Sequence, residues 1–516
     1  MISWNKNIYR SLIIISFIGV VILVLFGISQ ALSYLNTGAD RTSMLHVAVQ
    51  KERVYFPKVE WVDTINPGRP MEKQTLLEIE QDYLNAWYIR NAAYQTNKIE
   101  GVEDYYTQSA RVNINTAVRH NKKEKIAIHS TTTAHNIDLD FYSADGQLVV
   151  LTDNDVKEYQ RVYQGDKMLL ETKLQSDYQV MLLLEDGFWR IRHMVKEKNS
   201  LQEEITKTNG LAEVIDDKIY IDGEEYQIKG INYYPQKTPW DMFGDDFDID
   251  IIAQDFDIIT TAGLNTIRIF VPYEFFGKAE VDYQKLQKLE QTLDMAAVKN
   301  LKVVVTLFDF YGDYSVLDWT LTHRHAEQIV KPFANHKAIL AWDIKNEPNL
   351  DFTTRKKENV LAWLKEMVYQ VKQFDSNHLV TIGWSDVESA SLLKEEVDII
   401  SYHYYQDINR FADAYVLLNS KIDKPLVLQE FGLSSSRGLW SPFGPSEKEQ
   451  AAYYKKFQQL IKQENIHYLS WTLYDFDKVP SSVVGKLPWR KHKQKHFGFI
   501  DHKGNKKPAF EFISKE

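Results

Sequence analysis

From residue 228 to the C-terminus, short apolar β-rich runs alternate with amphipathic stretches at helical spacing. This alternation restricts the fold more than any other feature of the chain. Apolar runs of this length read as strands buried on both faces, as in a parallel sheet. We place strands at 228–233, 264–271, 301–308, 338–344, 379–383, 397–403, 425–429 and 467–473, with helices between them, for example at 249–262, 283–299, 354–374 and 447–464. Strands joined by helices build parallel βα units, and eight of them over about 300 residues predict a (β/α)8 TIM barrel of the α/β class.

Two of these runs stop at a glutamate: Trp342-Asp343-Ile344-Lys345-Asn346-Glu347-Pro348 and Leu426-Val427-Leu428-Gln429-Glu430-Phe431-Gly432. Barrels of this kind place their chemistry at the C-terminal ends of the strands. Glu347 and Glu430 are therefore expected to face each other across one cleft. Paired carboxylates on either side of a bond are what retaining glycoside hydrolysis requires. Other strand ends offer Arg268 in Thr266-Ile267-Arg268, His403 and Tyr405 in Ser401-Tyr402-His403-Tyr404-Tyr405, and Trp471 in Leu469-Ser470-Trp471-Thr472.

With Asn-Glu-Pro on the fourth strand and Glu-Phe-Gly on the seventh, residues 215–516 resemble glycoside hydrolase clan A, closest to the cellulase-like family 5 or the barrel of family 2. The resemblance implies that Glu347 is the acid/base and Glu430 the nucleophile. It implies that Asn346 binds the sugar 2-hydroxyl, that Arg268 and Tyr405 contact the nucleophile, that His403 lines the cleft and that Trp471 floors the subsite of cleavage. Arg268 and Tyr405 should lower the pKa of Glu430 and keep it ionised. The strand-three sequence Leu307-Phe308-Asp309-Phe310-Tyr311 lacks the histidine of some relatives, and Asp309 and Tyr311 are expected in its place. Trp240, Trp319, Trp384, Trp440 and Trp489 fall near loops that would border a substrate cleft. A late basic loop carries Lys486, Arg490, Lys491, Lys493 and Lys495 and reads either as a solvated surface or as a hold on an anionic polysaccharide. His323 and His325 read as surface loop residues, and no metal set and no cofactor is expected.

The N-terminus carries a different signal. Residues 12–28 are uncharged and apolar, the uncharged run continues to Gly38, and Lys6 and Arg10 precede it. About 20 apolar residues span a bilayer, and upstream cations keep the short end cytoplasmic. Residues 12–34 therefore predict a single-pass cell-membrane anchor with the remainder extracytoplasmic. The rival is a cleaved signal peptide ending at Ser29-Gln30-Ala31. The expected organisation is a cytoplasmic tip and anchor at 1–38, a juxtamembrane linker at 39–71, an α+β domain at 72–198, a linker at 199–213 and the barrel at 214–516.

Within 72–198, helical spacing gives way to a meander of short strands with hairpin turns at Asp145-Gly146 and Asp186-Gly187. Its closing hairpin, Leu183 to Ile191, resembles that of the nuclear transport factor 2-like cone fold. No convergent acid/base set is visible there, so this domain reads as a scaffold dispensable for hydrolysis of small aryl glycosides.

With a net charge of −10 and both signs well mixed, the chain is not a general nucleic-acid binder. It has no cysteine, which excludes disulfides, thiol nucleophiles and thiolate metal sites. The expected partners are a polysaccharide or oligosaccharide, the membrane and an exopolysaccharide assembly or export machinery. A non-catalytic carbohydrate-binding or assembly protein and a transglycosylase remain the alternatives to a hydrolase.

Overall fold

The computed structural model describes residues 55–63, 70–198 and 211–514, with scattered positions between 16 and 25. Apart from those positions, the anchor expected at 12–34 lies outside the described residues, as does most of the 199–213 linker. Among the described residues, no helix is long and apolar enough to cross a membrane.

The first unit runs β1 (Lys58–Asp63), α1 (Lys73–Thr96), α2 (Val102–Tyr105), α3 (Gln108–Glu124), β2 (Ile126–Tyr142), β3 (Leu148–Gln164), β4 (Lys167–Glu185) and β5 (Phe188–Lys198). The five strands form one sheet in chain order, with only the β1–β2 pair parallel. Two features differ from the sequence reading. Residues 58–63, read as linker, pair with β2, and Tyr55 is buried in the same core. The short strands expected in this meander are, between 126 and 185, three long ones. Register shifts near Ala134 and between Asp153 and Val156, with Asp155 at a φ of 54°, bend these strands without ending them. A bulge inserts a residue and turns a strand while pairing continues on both sides, so polar interruptions in the sequence mimic strand ends.

Helix α1 lays Tyr83 and Trp87 under this sheet, with Trp87 edge-on to Tyr178 at 5.2 Å. A titratable set missed in the sequence lies here: His135 Nδ1 meets Asp153 at 2.6 Å, and the Tyr83 hydroxyl donates to Asp153 at 2.7 Å. All three side chains are fully buried in the core.

The second unit opens with a small sheet, β6 (Ala212–Ile215), β7 (Lys218–Ile221) and β8 (Glu224–Glu225). Ala212, Ile219 and Ile228 pack on Val304, Leu340, Leu379, Val427 and Leu469, at or near the starts of five barrel strands. This packing closes the N-terminal end of the barrel. The barrel strands are β9 (Lys229–Asn232), β10 (Thr266–Pro272), β11 (Lys302–Asp309), β12 (Ile339–Asn346), β13 (Leu379–Trp384), β14 (Ile400–Tyr404), β15 (Leu426–Phe431) and β16 (His467–Trp471). They form one closed, all-parallel cylinder in chain order. The helices around it that matter below are α4 (Trp319–Val330), α5 (Lys357–Phe374), α6 (Glu447–Glu464) and α7 (Pro488–Lys495). The start of α6 is set by a capping box, in which Ser446 and Glu449 each satisfy the other's backbone N–H.

The two units touch. Tyr159 on β3 packs against Trp319 at the start of α4 with ring centroids 4.4 Å apart, and Lys173 pairs with Glu366 on α5 at 2.8 Å. Trp319 was expected beside the cleft; it is fully buried at this contact and donates to the carbonyl of Tyr314 in the loop after β11. His323 and His325 are buried on α4 and not on a surface loop, and burial pulls both imidazoles down to about 4. The first unit thus braces a loop at the C-terminal end of the barrel strands. Tyr159→Ala should leave a void over Trp319 and cost about 3 kcal/mol, read as a lower unfolding midpoint of the whole chain. An unchanged midpoint would return the first unit to an independent scaffold.

Candidate active site

Strand register brings the functional side chains together. His403 on β14 lies beside Glu430 on β15, and Asn346 at the end of β12 lies beside Gly383 on β13. Glu347 follows immediately, with a φ of 49° and its N–H donated to the Gly383 carbonyl at 2.7 Å. Left-handed backbone at a glutamate costs about 1–3 kcal/mol and persists only where neighbours impose it; here that hydrogen bond does so.

Arg268 is the centre of the site. Its side chain is fully buried, with Nε and Nη2 on Asp343 at 3.0 and 2.7 Å, Nη1 on Asn232 at 3.0 Å, Nη2 on Asn346 Oδ1 at 2.9 Å and Nη1 on Glu430 at 3.4 Å. A guanidinium has no acceptor, so the Asn346 atom facing it is the oxygen, and the amide N–H groups remain for a ligand. Asp343 is held in turn by Thr306 at 2.8 Å and by the Gly383 N–H at 2.9 Å. Gly383 is glycine for want of space: a Cβ there would lie 2.4 Å from Gln429 Oε1 and 3.1 Å from the guanidinium.

The carboxylates share one imidazole. His403 Nδ1 is 3.0 Å from Glu347 and 3.8 Å from Glu430. His403 is fully buried behind the carboxylates and does not line the cleft, which corrects the expectation. Burial opposes its protonation, but Glu430 and Glu347 outweigh burial and its pKa is raised. Tyr405 donates to Glu430 at 2.5 Å.

The expected lowering of Glu430 is not what its surroundings give. Burial comes first and, together with the charge of Glu347, raises its pKa above the ordinary carboxylate value against the pull of His403, Arg268 and Tyr405. If Glu430 is the attacking carboxylate, activity should fall as pH drops through this raised value. Tyr405→Phe removes one donor to the ionised form, and a hydrogen bond to a charged group contributes about 1.5–3 kcal/mol. The acidic limb of the kcat/KM profile should therefore move up by about one to two pH units. A limb that stays in place would mean that Glu430 is not the group titrating there.

A cavity of about 480 Å³ opens over this pair. Asn346, Glu347, Tyr405, Glu430 and Trp471 line it, while Arg268 and His403 support the carboxylates from behind. Tyr234, Trp240, Phe270 and Trp471 form one aromatic cluster along it; Tyr234 stacks on Phe270 at 5.1 Å and Trp240 lies 6.3 Å from Trp471. Asp309 lines the cavity as expected, whereas Tyr311 is packed on Trp363 at 5.0 Å and Trp384 is buried. Trp440 and Trp489 are exposed and do not line it, whereas Arg490 and Lys493 of the late basic segment do.

Sequence reasoning missed Asn232, Thr306 and Asp343. One signal was available for Asp343: a carboxylate inside an otherwise apolar run needs a buried partner. Among the described residues, no group of three His, Cys, Asp or Glu side chains is placed to hold a metal.

Residues 220–477 match the family described as Cellulase (glycosyl hydrolase family 5). The chain belongs to glycosyl hydrolase family 5. Among curated relatives it is 23% identical over 275 residues to mannan endo-1,4-β-mannosidase A of Emericella nidulans, covering 42% of this chain and 69% of that one. It is 22% identical over 293 residues to the β-glucuronidase of Mus musculus, covering 52% of this chain. The match spans only 42% of the mouse enzyme's length. Similar solved structures include the exo-β-1,4-mannosidase Op5Man5 from Opitutaceae bacterium strain TAV5, at 18% identity, TM-score 0.47 and 60% and 61% coverage of the two chains. Another is a family 2 β-galacturonidase from Eisenbergiella tayi, at 15% identity, TM-score 0.47 and 75% and 70% coverage.

Proposed function

We propose that this family 5 chain is a retaining β-glycosidase that hydrolyses O-glycosidic bonds of a polysaccharide, held outside the cell membrane by residues 12–34. The observation that carries the retaining mechanism is the shared imidazole. Two carboxylate oxygens at 3.0 and 3.8 Å from one nitrogen stand no farther apart than those distances end to end. That upper bound reaches only the short edge of the roughly 6.5–9.5 Å that admits an inverting water, and it includes the roughly 5–5.5 Å of a retaining pair.

Glu430 receives donors from Tyr405 and Arg268, so it is the member of the pair suited to hold negative charge. It attacks the anomeric carbon and forms a glycosyl ester while Glu347 gives its proton to the leaving oxygen. Glu347 then takes a proton from water as that water opens the ester, which restores both groups. The aromatic cluster supplies a ring-sized apolar platform for the sugar, and the Asn346 amide supplies donors for its hydroxyls.

A purely carbohydrate-binding protein has no need for two facing carboxylates with their own buried support. Transglycosylation shares the first step and differs only in what opens the ester. Incubating the full chain with β-glucans, β-mannans, β-galactans and the host's own exopolysaccharide tests the reading, with NMR of the first-formed product. A product that keeps its anomeric configuration is expected; an inverted one would remove Glu430 from the role of nucleophile. Longer chains among the products would identify a transglycosylase.

A further inference from the structure

The cavity wall contains two cations that hydrolysis of a neutral glycan does not use. Arg490 and Lys493 lie one turn apart on α7, and both line the cavity that holds Glu347 and Glu430. Neither side chain has a hydrogen-bond or ion-pair partner among the described residues. Their neighbours on the helix are engaged: Lys491 donates to Ser481 at 2.7 Å, and Lys495 donates to the Asp477 carbonyl. The helix is also tied to the nucleophile's strand, since Ser434, four residues past Glu430, donates to the Lys493 carbonyl at 2.6 Å. Both are exposed to the cavity; Lys493 in the last turn suits the helix C-terminus, whereas Arg490 has no such use, and like charges at this spacing repel. They sit in a chain whose net charge is −10. Tyr234, which lines the same cavity and is buried, also has a hydroxyl without a partner.

We propose that this wall selects an anionic glycan: a polysaccharide carrying carboxylate, sulfate or phosphate groups, one of which meets Arg490 and Lys493 while the scissile bond lies between Glu347 and Glu430. The proposal rests on the glycosidase reading above and names its substrate class. Arg490 offers a fork that binds two oxygens of one anionic group, and Lys493 adds a second charge beside it. A cleft wall of one sign also raises the local concentration of an oppositely charged substrate.

The test uses the full chain in detergent and whichever polysaccharide backbone it cleaves, prepared in neutral, carboxylated and sulfated forms. Rates give kcat/KM, and retardation in gels containing each polymer gives binding independently. We expect the anionic forms to be favoured about tenfold over the neutral one, with the preference shrinking as salt rises from about 50 to 500 mM. Carboxylated against sulfated polymer identifies the anion. Arg490→Glu combined with Lys493→Glu should bring the ratio to one or below, and Arg490→Lys should keep most of it. Equal handling of neutral and anionic polymers, or a preference that survives the double charge reversal, would overturn the proposal and leave the hydrolase standing. Retardation by anionic polymer without cleavage of any form would overturn the hydrolase and leave the cationic wall standing.

Discussion

Glu430→Gln should stop the reaction before any glycosyl-enzyme forms, with kcat lowered by at least about 10⁴-fold because the amide cannot attack. Glu347→Ala should behave differently. Both steps lose proton transfer, worth about 10²–10⁴-fold, but a leaving group that departs without protonation should recover most of the first step. Azide should then rescue the second step and give a β-glycosyl azide, since an anion needs no general base. The geometry explains the split: Glu430 faces Tyr405 and Arg268, which favour its charge, whereas His403 holds Glu347 at 3.0 Å. Mass spectrometry of the protein after mixing with an activated substrate tests this directly. A covalent adduct on the Glu430→Gln variant, or an azide product of α configuration, would reverse the assignments.

Arg268→Ala is expected to have the largest effect on stability. It leaves Asp343 with a buried and unpaired carboxylate, and breaking one side of such a pair costs about 3–5 kcal/mol. Arg268→Lys should fare little better, because an ammonium cannot reproduce the fork that reaches Asp343, Asn232 and Asn346 together. The double variant Arg268→Met with Asp343→Leu removes both charges and should recover much of the lost stability. Activity should stay lost in it, because Asn346 and Glu430 no longer have their donor. Chemical denaturation of the three variants measures the first part and hydrolysis the second. Full activity in the double variant would reduce Arg268 to a structural ion pair.

The barrel was legible because each strand is a short apolar run bounded by helical spacing, and burial on both faces writes that pattern plainly. Glu347 and Glu430 were legible for a related reason: a carboxylate at the end of an apolar run has few structural uses. Asp343 was hidden inside its run, where one charge among Trp342, Ile344 and their neighbours reads as an interruption until Arg268 is placed opposite it. Sequence distance hid Asn232 and Thr306, whose strands meet Arg268 only once the cylinder closes. In the first unit the bends at Ala134 and Asp155 read as breaks, because a bulge and a turn use the same polar residues. His323 and His325 misled because an imidazole is polar in composition but packs as an aromatic ring when neutral. The reach of α7 into the cavity depends on the loop after β16, whose path no periodicity records.

His403 gives the pair of carboxylates a common counterion, and this bears on using the chain to build glycosidic bonds. On the proposed mechanism, a variant stripped of Glu430 would join an activated sugar to an acceptor, with Glu347 drawing the acceptor's proton. Loss of Glu430 also removes a charge that favours the protonated imidazole, leaving Glu347 to do so against burial and Arg268. The ring then gives up its proton at a lower pH than in the hydrolase. Below that point Glu347 stays clamped to a cation; above it, the carboxylate is free to act as a base. The working pH for synthesis is therefore set by a side chain that does not line the cleft.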